Sequence, residues 1–474
     1  MAQSQTIDIA ALRPSKNTVL LALPRGRFAA WNKYSPRITV LDSRAYDVWQ
    51  ALLHPSAAPI PTPTKAARDI LKQFWLSHLA IVERQDPYRE SFFNDLESLR
   101  SSCIASHQEL VSKRLGYATL IISNSRCNLR CPYCIQAKSR PPKVMNSSSV
   151  QDLSRSTDLL SIVDRFIISA RTAHSTPNIS FNGGEPLLEW PIITQVVNHI
   201  SRTYPQLTPH YSINTNMTLL TPDMAQFLID FNFQVSPSID GYEEHHDVTR
   251  RYADGSGSFS SVARSIEIYN RLSQRGPLRG FQGTINDSSF DILKVFDLAT
   301  LGFTEGRMTP NLLGISVSDA ENRARVLINL LHESRIRAVA ISDASVSRLS
   351  KILSGDAYHF SPYCSGILGY PNKAITVDIS RWTASLICGF APRAAVSLRS
   401  IGCDIFHPKL IDAASYFATQ RIAAVTRYCS SCEVIAVCRG GCVMNGLDFN
   451  NQPNPAACAF QIELWRGLIK LMCN

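Results

Sequence analysis

The sequence holds no uninterrupted apolar run long enough to cross a membrane, which excludes a bundle of transmembrane helices. Residues 1–17 are mostly polar and lack an apolar segment followed by a cleavage site, so no secretory signal is expected and a cytoplasmic location is. No internal repeat or low-complexity tract is visible. Charge is modest: charged residues make up 18% against 45% hydrophobic, as in an ordinary globular enzyme of 474 residues with two or three domains. The formal net charge of +10 suits an acidic peptide, a nucleic acid or an anionic surface, and does not choose among them.

Cysteine is what the sequence has in excess. There are 13, and a reducing cytoplasm disfavours disulfides. Cys127, Cys131 and Cys134 form one tight group. Cys364, Cys388, Cys429, Cys432, Cys438, Cys442 and Cys458 crowd the C-terminal part, leaving only Cys103, Cys403 and Cys473 outside these sets. Short spacings of this kind are what metal ligation requires.

Residues 18–23, 27–32 and 37–42 read as short strands. A helix capped by Asp42 follows, then a proline-rich loop over 55–63, a second helix over 64–78 and a return strand at 79–82. This first unit covers residues 1–86, and 87–116 read as an amphipathic helical linker. From residue 117 strands alternate with helices: strands at 118–123, 179–181, 210–214 and 233–238, helices at 156–171, 190–203 and 222–231. Repeated β–α units to residue 355 imply a parallel sheet with helices outside it. Residues 254–260 read as a mobile Ser/Gly loop, and 356–474 as an irregular region organised by metal clusters.

The segment Cys127-Asn-Leu-Arg-Cys131-Pro-Tyr-Cys134 follows the first strand of that series directly. Three thiolates on one loop can hold three irons of a [4Fe–4S] cube and leave the fourth without a protein ligand. A zinc knuckle is the alternative, and it would need a fourth ligand nearby. The spacing, with an aromatic residue before the last cysteine, resembles the radical S-adenosylmethionine (SAM) superfamily over about residues 117–340. That resemblance implies SAM chelated to the open iron, cleaved by one electron to a 5′-deoxyadenosyl radical. It also implies cofactor contacts at Tyr133, at Gly183, Gly184, Glu185 and Pro186 (with Glu185 and exposed backbone on the SAM ammonium), at Asn216, and at Ser238 and Arg250 for ribose and carboxylate. All fall at the carboxyl ends of successive strands, where parallel α/β barrels place ligands.

Cys429-x2-Cys432-x5-Cys438-x3-Cys442-x15-Cys458 resembles the SPASM extension of radical SAM enzymes, which carries two auxiliary [4Fe–4S] clusters. By that resemblance Cys429, Cys432, Cys438 and Cys458 hold one cluster, and Cys442 joins Cys364 and Cys388 on the other. An eighth ligand is missing; Cys403 or an open iron are the alternatives. The alternative for this set is one or two structural zinc sites.

The strand–strand–strand–helix–helix–strand order of residues 1–86 is a winged-helix pattern. Ahead of a radical SAM/SPASM body it resembles domains that bind the leader of a ribosomally made precursor peptide by adding a strand to a sheet edge. The expectation is therefore α/β: a partial (β/α)6 radical SAM barrel over 117–355, an N-terminal winged-helix domain and a C-terminal iron–sulfur SPASM domain. The expected activity is oxidative maturation of a precursor peptide, with a C–C or ether cross-link as product and a flavodoxin or ferredoxin as electron donor. No acid or base stands out as catalytic. The alternatives are sulfatase-maturase-like oxidation of a protein Cys or Ser, modification of RNA (for which no RNA-binding appendage is visible), and a zinc-binding winged-helix regulator.

Overall fold

The computed structural model describes residues 11–35, 37–54, 64–82, 87–112, 117–134, 153–287, 290–343, 346, 374–386, 394–441 and 452–473. Cys364, Cys388 and Cys442, as well as the proline-rich loop, lie outside them.

The first unit comprises β1 (Arg13–Pro14), β2 (Thr18–Ala22), β3 (Phe28–Asn32), β4 (Ile38–Leu41), α1 (Ser43–Leu53), α2 (Lys65–Leu76) and β5 (Ala80–Ile81). Asp42 caps α1 by accepting from Ala45 N at 2.8 Å, as its sequence position anticipates. β2, β3 and β4 form one antiparallel sheet with β3 central. β5 does not join that sheet. It pairs with β1, a strand the sequence did not suggest because it is only two residues long. Trp49 and Phe74, in edge contact at 5.4 Å, fill the small core beneath, together with Leu41, Leu52 and Leu71.

A long helix, α3 (Pro87–Ser112), leads to the main body. There β6 (Thr119–Asn124), α4 (Leu153–Thr172), β7 (Asn178–Gly183), α5 (Trp190–Thr203), β8 (His210–Thr215), α6 (Pro222–Asp230), β9 (Gln234–Pro237), α7 (Glu243–Thr249), α8 (Phe259–Leu272), β10 (Gly280–Ile285), β11 (Glu305–Pro310), α9 (Val317–Glu333) and β12 (Ala340–Ser342) follow in turn. β6 to β9 are parallel neighbours in sequence order, as are β10 to β12. A single parallel bridge, Ser238 to Gln282, links the two arcs. Buried Leu120, Ile122, Ile179, Phe181 and Ile213 line the strands, against Ile162, Phe166, Val196 and Ile200 of the helices. Residues 254–260 are a hydrogen-bonded turn rather than a loose loop: Tyr252 N donates to Ser256 O at 2.9 Å, and Asp247 accepts from Ser258 N and Phe259 N at 2.8 Å each.

The C-terminal part departs from the irregular region expected. β13 (Ala374–Asp378) adds in parallel beside β6, and β14 (Thr383–Ser385) and β15 (Val396–Ser397) extend the sheet antiparallel. Two long helices follow, α10 (Pro408–Cys429) and α11 (Pro455–Cys473). α11 packs so closely on α9 that a Cβ on Gly467 would lie 2.1 Å from Ile328 Cδ1. The apolar core runs without a break from β6 through α9 to Leu464, Trp465 and Leu468. Among the described residues no helix is long and apolar enough to cross a membrane.

Candidate active site: two groups of thiols

The cysteine triad sits on the loop leaving β6. Cys131 is largely buried, which pushes its thiol up to about 12, and nearby Cys127 and Cys134 push in the same direction while Arg250 opposes. The three sulfurs therefore share one small region. Held as a thiol by burial, Cys131 would ionise on meeting a cation that supplies compensating charge, as iron does. The loop is zipped to the segment after α7: Arg130 N donates to Arg251 O at 2.7 Å, and Leu129 bridges Tyr252.

Gly183 and Gly184 lie against the entry of that loop. Gly184 N donates to Asn124 O at 2.9 Å and Glu185 N to Arg126 O at 2.7 Å. A Cβ on Gly184 would stand 1.9 Å from Arg126 O, so only glycine permits this approach.

Glu185 is held from several sides. Its carboxylate has no exposed surface and accepts from Leu187 N at 2.9 Å, Thr215 Oγ1 at 2.6 Å and Asn216 N at 2.7 Å. Burial pushes it up to about 7 against the pull of those bonds. Facing inward, it braces the tip of β8. Gly183 and Gly184, beside the buried Glu185, keep part of their backbone exposed. Pro186 is likewise buried, opening the short turn Pro186–Glu189.

Asn216, placed by this brace, reaches the cysteine loop. Its Nδ2 donates to Asn128 Oδ1 at 3.0 Å and approaches Cys127 Sγ at 3.8 Å. Ser238 N donates to Thr215 O at 2.8 Å where the two arcs meet.

Asp240 is the hub that sequence reasoning passed over. Its Oδ2 accepts from Tyr133 Oη at 2.6 Å and Thr249 Oγ1 at 3.2 Å. Its Oδ1 accepts from Thr284 N at 2.8 Å and lies 2.9 Å from Arg250 Nη2. Arg250 also lies 5.7 Å over the Tyr133 ring. Behind it His246 shares a hydrogen with Ser258 Oγ at 2.9 Å, and Ser258 Oγ donates to Arg250 O at 2.6 Å. The serine hydrogen is thereby used, so His246 Nε2 carries the proton and Nδ1 is bare. The sequence points to its members Tyr133 and Arg250 and leaves Asp240 unmarked.

The second group lies in the C-terminal part. Cys429, Cys432, Cys438 and Cys458 line one cavity of about 260 Å3, closed by Leu312, Val434 and Phe460. Cys429 is pushed up to about 12 by burial, with Cys458 and Cys432 adding to it and Arg421 opposing. A water occupies about 30 Å3, so this space exceeds one ion and admits a multi-atom centre. Among the described residues no three His, Cys, Asp or Glu side chains are arranged to hold a single metal ion. Cys403 stands elsewhere, beside Asp158, Arg165 and Trp382.

Comparison with known proteins finds relatives for the main body. Residues 121–280 match the radical SAM superfamily. The radical SAM cyclopropyl synthase TigE of Paramaledivibacter caminithermalis is 25% identical over 227 residues, 47% of this chain and 45% of that protein. A cysteine-type anaerobic sulfatase-maturating enzyme of Clostridium novyi is 32% identical over 151 residues, 31% of this chain and 39% of that protein. The chain thus spans under half the length of either relative. The solved structure described as native anSMEcpe with bound AdoMet and Kp18Cys peptide shares the fold, with a TM-score of 0.58 at 19% identity over 75% of this chain and 98% of that one.

Proposed function

With a radical SAM domain over residues 121–280 as the premise, we propose that the protein is a radical SAM peptide maturase carrying one SAM-binding and two auxiliary [4Fe–4S] clusters. The observation that carries this reading is a convergence. The loop holding Cys127, Cys131 and Cys134, the Gly183–Gly184 backbone, Asn216, and the Tyr133–Asp240–Arg250 hub meet at the carboxyl ends of β6 to β9. A bound cluster with SAM supplies there a carbon-centred radical able to take hydrogen from an unactivated C–H bond.

The chain's own residues hold and orient. Cys127, Cys131 and Cys134 would ligate three irons. Gly183 and Gly184 present backbone at close range, and Glu185 fixes Asn216 against the same loop. Arg250, locked on Asp240 and lying over the Tyr133 ring, sets a guanidinium near Cys131, with the Asp240 carboxylate offsetting part of its charge. The cavity at Cys429, Cys432, Cys438 and Cys458 supports a second, fully thiol-ligated centre, and Cys442, Cys364 and Cys388 are proposed for the third.

A peptide substrate is favoured by two features: a similar protein is named a sulfatase-maturating enzyme, and a sulfatase is itself a polypeptide, and the three-stranded N-terminal sheet has edge strands β2 and β4, where Leu20 and Val40 are exposed. An extended leader can add to such an edge. Oxidative cross-linking is the proposed outcome, with a flavodoxin or ferredoxin as reductant. Sulfatase-maturase-like oxidation is the second reading, favoured by the shared fold; it has no need of the N-terminal sheet.

The test is anaerobic incubation of reconstituted protein with SAM, a strong reductant and a short peptide encoded beside its gene. Release of 5′-deoxyadenosine with loss of two hydrogens from the peptide is expected. No 5′-deoxyadenosine, with or without peptide, refutes the reading.

A further inference from the structure

The turn that ends β3 does not stop at the edge of the N-terminal unit. Trp31 Nε1 donates to Glu433 O at 2.9 Å, Tyr34 Oη donates to Ser430 O at 2.5 Å, and Ala436 N donates to Lys33 O at 3.2 Å. All three bonds fall on the backbone of residues 430–436, the stretch between Cys429, Cys432 and Cys438. Trp31 is buried and packs edge-on to Trp465 of α11 at 6.2 Å. Tyr34 is buried among Phe92, Leu96, Val425 and Ile435, with Cys429 and Cys432 against the same cluster. The far side of the stretch is pinned too: Glu433 takes two bonds from Arg466, at 2.7 and 2.8 Å.

A loop carrying three thiols of one cavity is thus set by side chains from a separate unit some four hundred residues earlier (402 for the Trp31–Glu433 bond). A polar group fixed at a backbone carbonyl next to a ligand orients that ligand, and such outer contacts tune the centre it holds. We propose that Trp31 and Tyr34 are positioning residues for the auxiliary iron–sulfur site, so that the peptide-binding unit and that site form one mechanical piece. This rests on reading Cys429, Cys432, Cys438 and Cys458 as cluster ligands. It gives the N-terminal unit a second task beyond capturing a leader: holding the thiols of a centre it does not ligate.

The test uses the full-length holoprotein, reconstituted anaerobically, as wild type, Y34F, and W31F/Y34F. Each is also made with Cys127, Cys131 and Cys134 replaced by alanine, so that only auxiliary centres contribute to the spectra. R27A is the control, since Arg27 binds Cys473 O at 2.6 Å and not the cysteine loop. Wild type should hold about twelve irons, for three four-iron clusters. The double variant should lose up to about four of them, or retain them with a shifted midpoint potential and altered electron paramagnetic resonance signal. Its 5′-deoxyadenosine release without peptide should stay at the wild-type level, and R27A should match wild type throughout. Unchanged iron, potential and spectrum in the double variant overturn the inference. So does a parallel fall in 5′-deoxyadenosine release, which marks a general loss of fold. Wild type holding only about four irons removes the auxiliary centres themselves, a failure visible before any variant is compared.

Discussion

Arg250 Nη2 stands 2.9 Å from Asp240 Oδ1, and the pair is almost completely buried, with side-chain exposures of 11% and 2%. A pair so placed is sensitive to loss of one partner, because the survivor is left as an uncompensated buried charge. D240N should therefore cost about 3–5 kcal/mol of stability. Tyr133 loses its carboxylate acceptor at the same time, so 5′-deoxyadenosine formation should fall along with the melting temperature. A variant that melts and turns over like wild type would refute the hub.

Acid should weaken the protein through His246. Burial, with Arg250 adding, lowers its pKa to about 3, against 6.5 for a free imidazole. The unfolded chain then binds a proton that the folded chain refuses, so stability present above pH 6.5 drains away as pH falls toward 3. The slope reaches about 1.4 kcal/mol per pH unit for one such group. Chemical denaturation between pH 7.5 and 5 should show this loss, and H246Q, whose amide can still donate to Ser258, should show a shallower one.

Gly184→Ala would put a methyl group 1.9 Å from Arg126 O, where backbone rather than a flexible side chain must yield. Overpacking of this kind costs about 1–3 kcal/mol, and this site belongs at the upper end. Because Gly184 N and Glu185 N both bond to the start of the cysteine loop, SAM affinity measured by equilibrium dialysis should drop as well. Unaltered affinity would show that the two segments move independently.

The carboxylate of Glu185 is surrounded by donors: Leu187 N, Asn216 N and the Thr215 hydroxyl. E185Q keeps the shape but turns an NH2 toward one of them, leaving a buried donor unsatisfied at about 1–3 kcal/mol. Its melting temperature should fall, with SAM binding reduced through Asn216. If instead SAM affinity collapses while stability is untouched, Glu185 touches the ligand directly.

The two thiol groups should separate by substitution. C131A should abolish 5′-deoxyadenosine release. C458A should spare it without peptide, yet lower the iron count by up to about four per chain and block product formation. Loss of SAM cleavage in C458A would mean that the sites are not distinct.

What was legible in the sequence is what lies close along the chain. The triad spans eight residues on one loop, so its spacing carries its chemistry. The alternation that gave β6 to β9 is local in the same sense, as is the cap at Asp42. Illegible parts depend on contacts across hundreds of residues: Trp31 on Glu433, β13 beside β6, Gly467 under Ile328. Glu185 shows a subtler limit. Its place in the sequence marked the right strand end, but only the direction of its side chain reveals that it faces inward. Asp240 goes unmarked in the sequence because an aspartate in a turn is common and its four partners, Tyr133, Thr249, Arg250 and Thr284, come from three separate segments.

β13 deserves a last physical consequence. It covers the flank of β6 with five register pairs, and Ile379 N to Ser123 O and Ser125 N to Ser380 Oγ, at 2.8 and 2.9 Å, extend the seam to the threshold of the cysteine loop. A chain ended after the last barrel strand would bare a row of backbone donors and acceptors along β6, an invitation to stick to a neighbouring copy. Trimming the C-terminal third would therefore yield aggregate in place of a minimal SAM-cleaving core, since the loop that holds the triad hangs from that same strand.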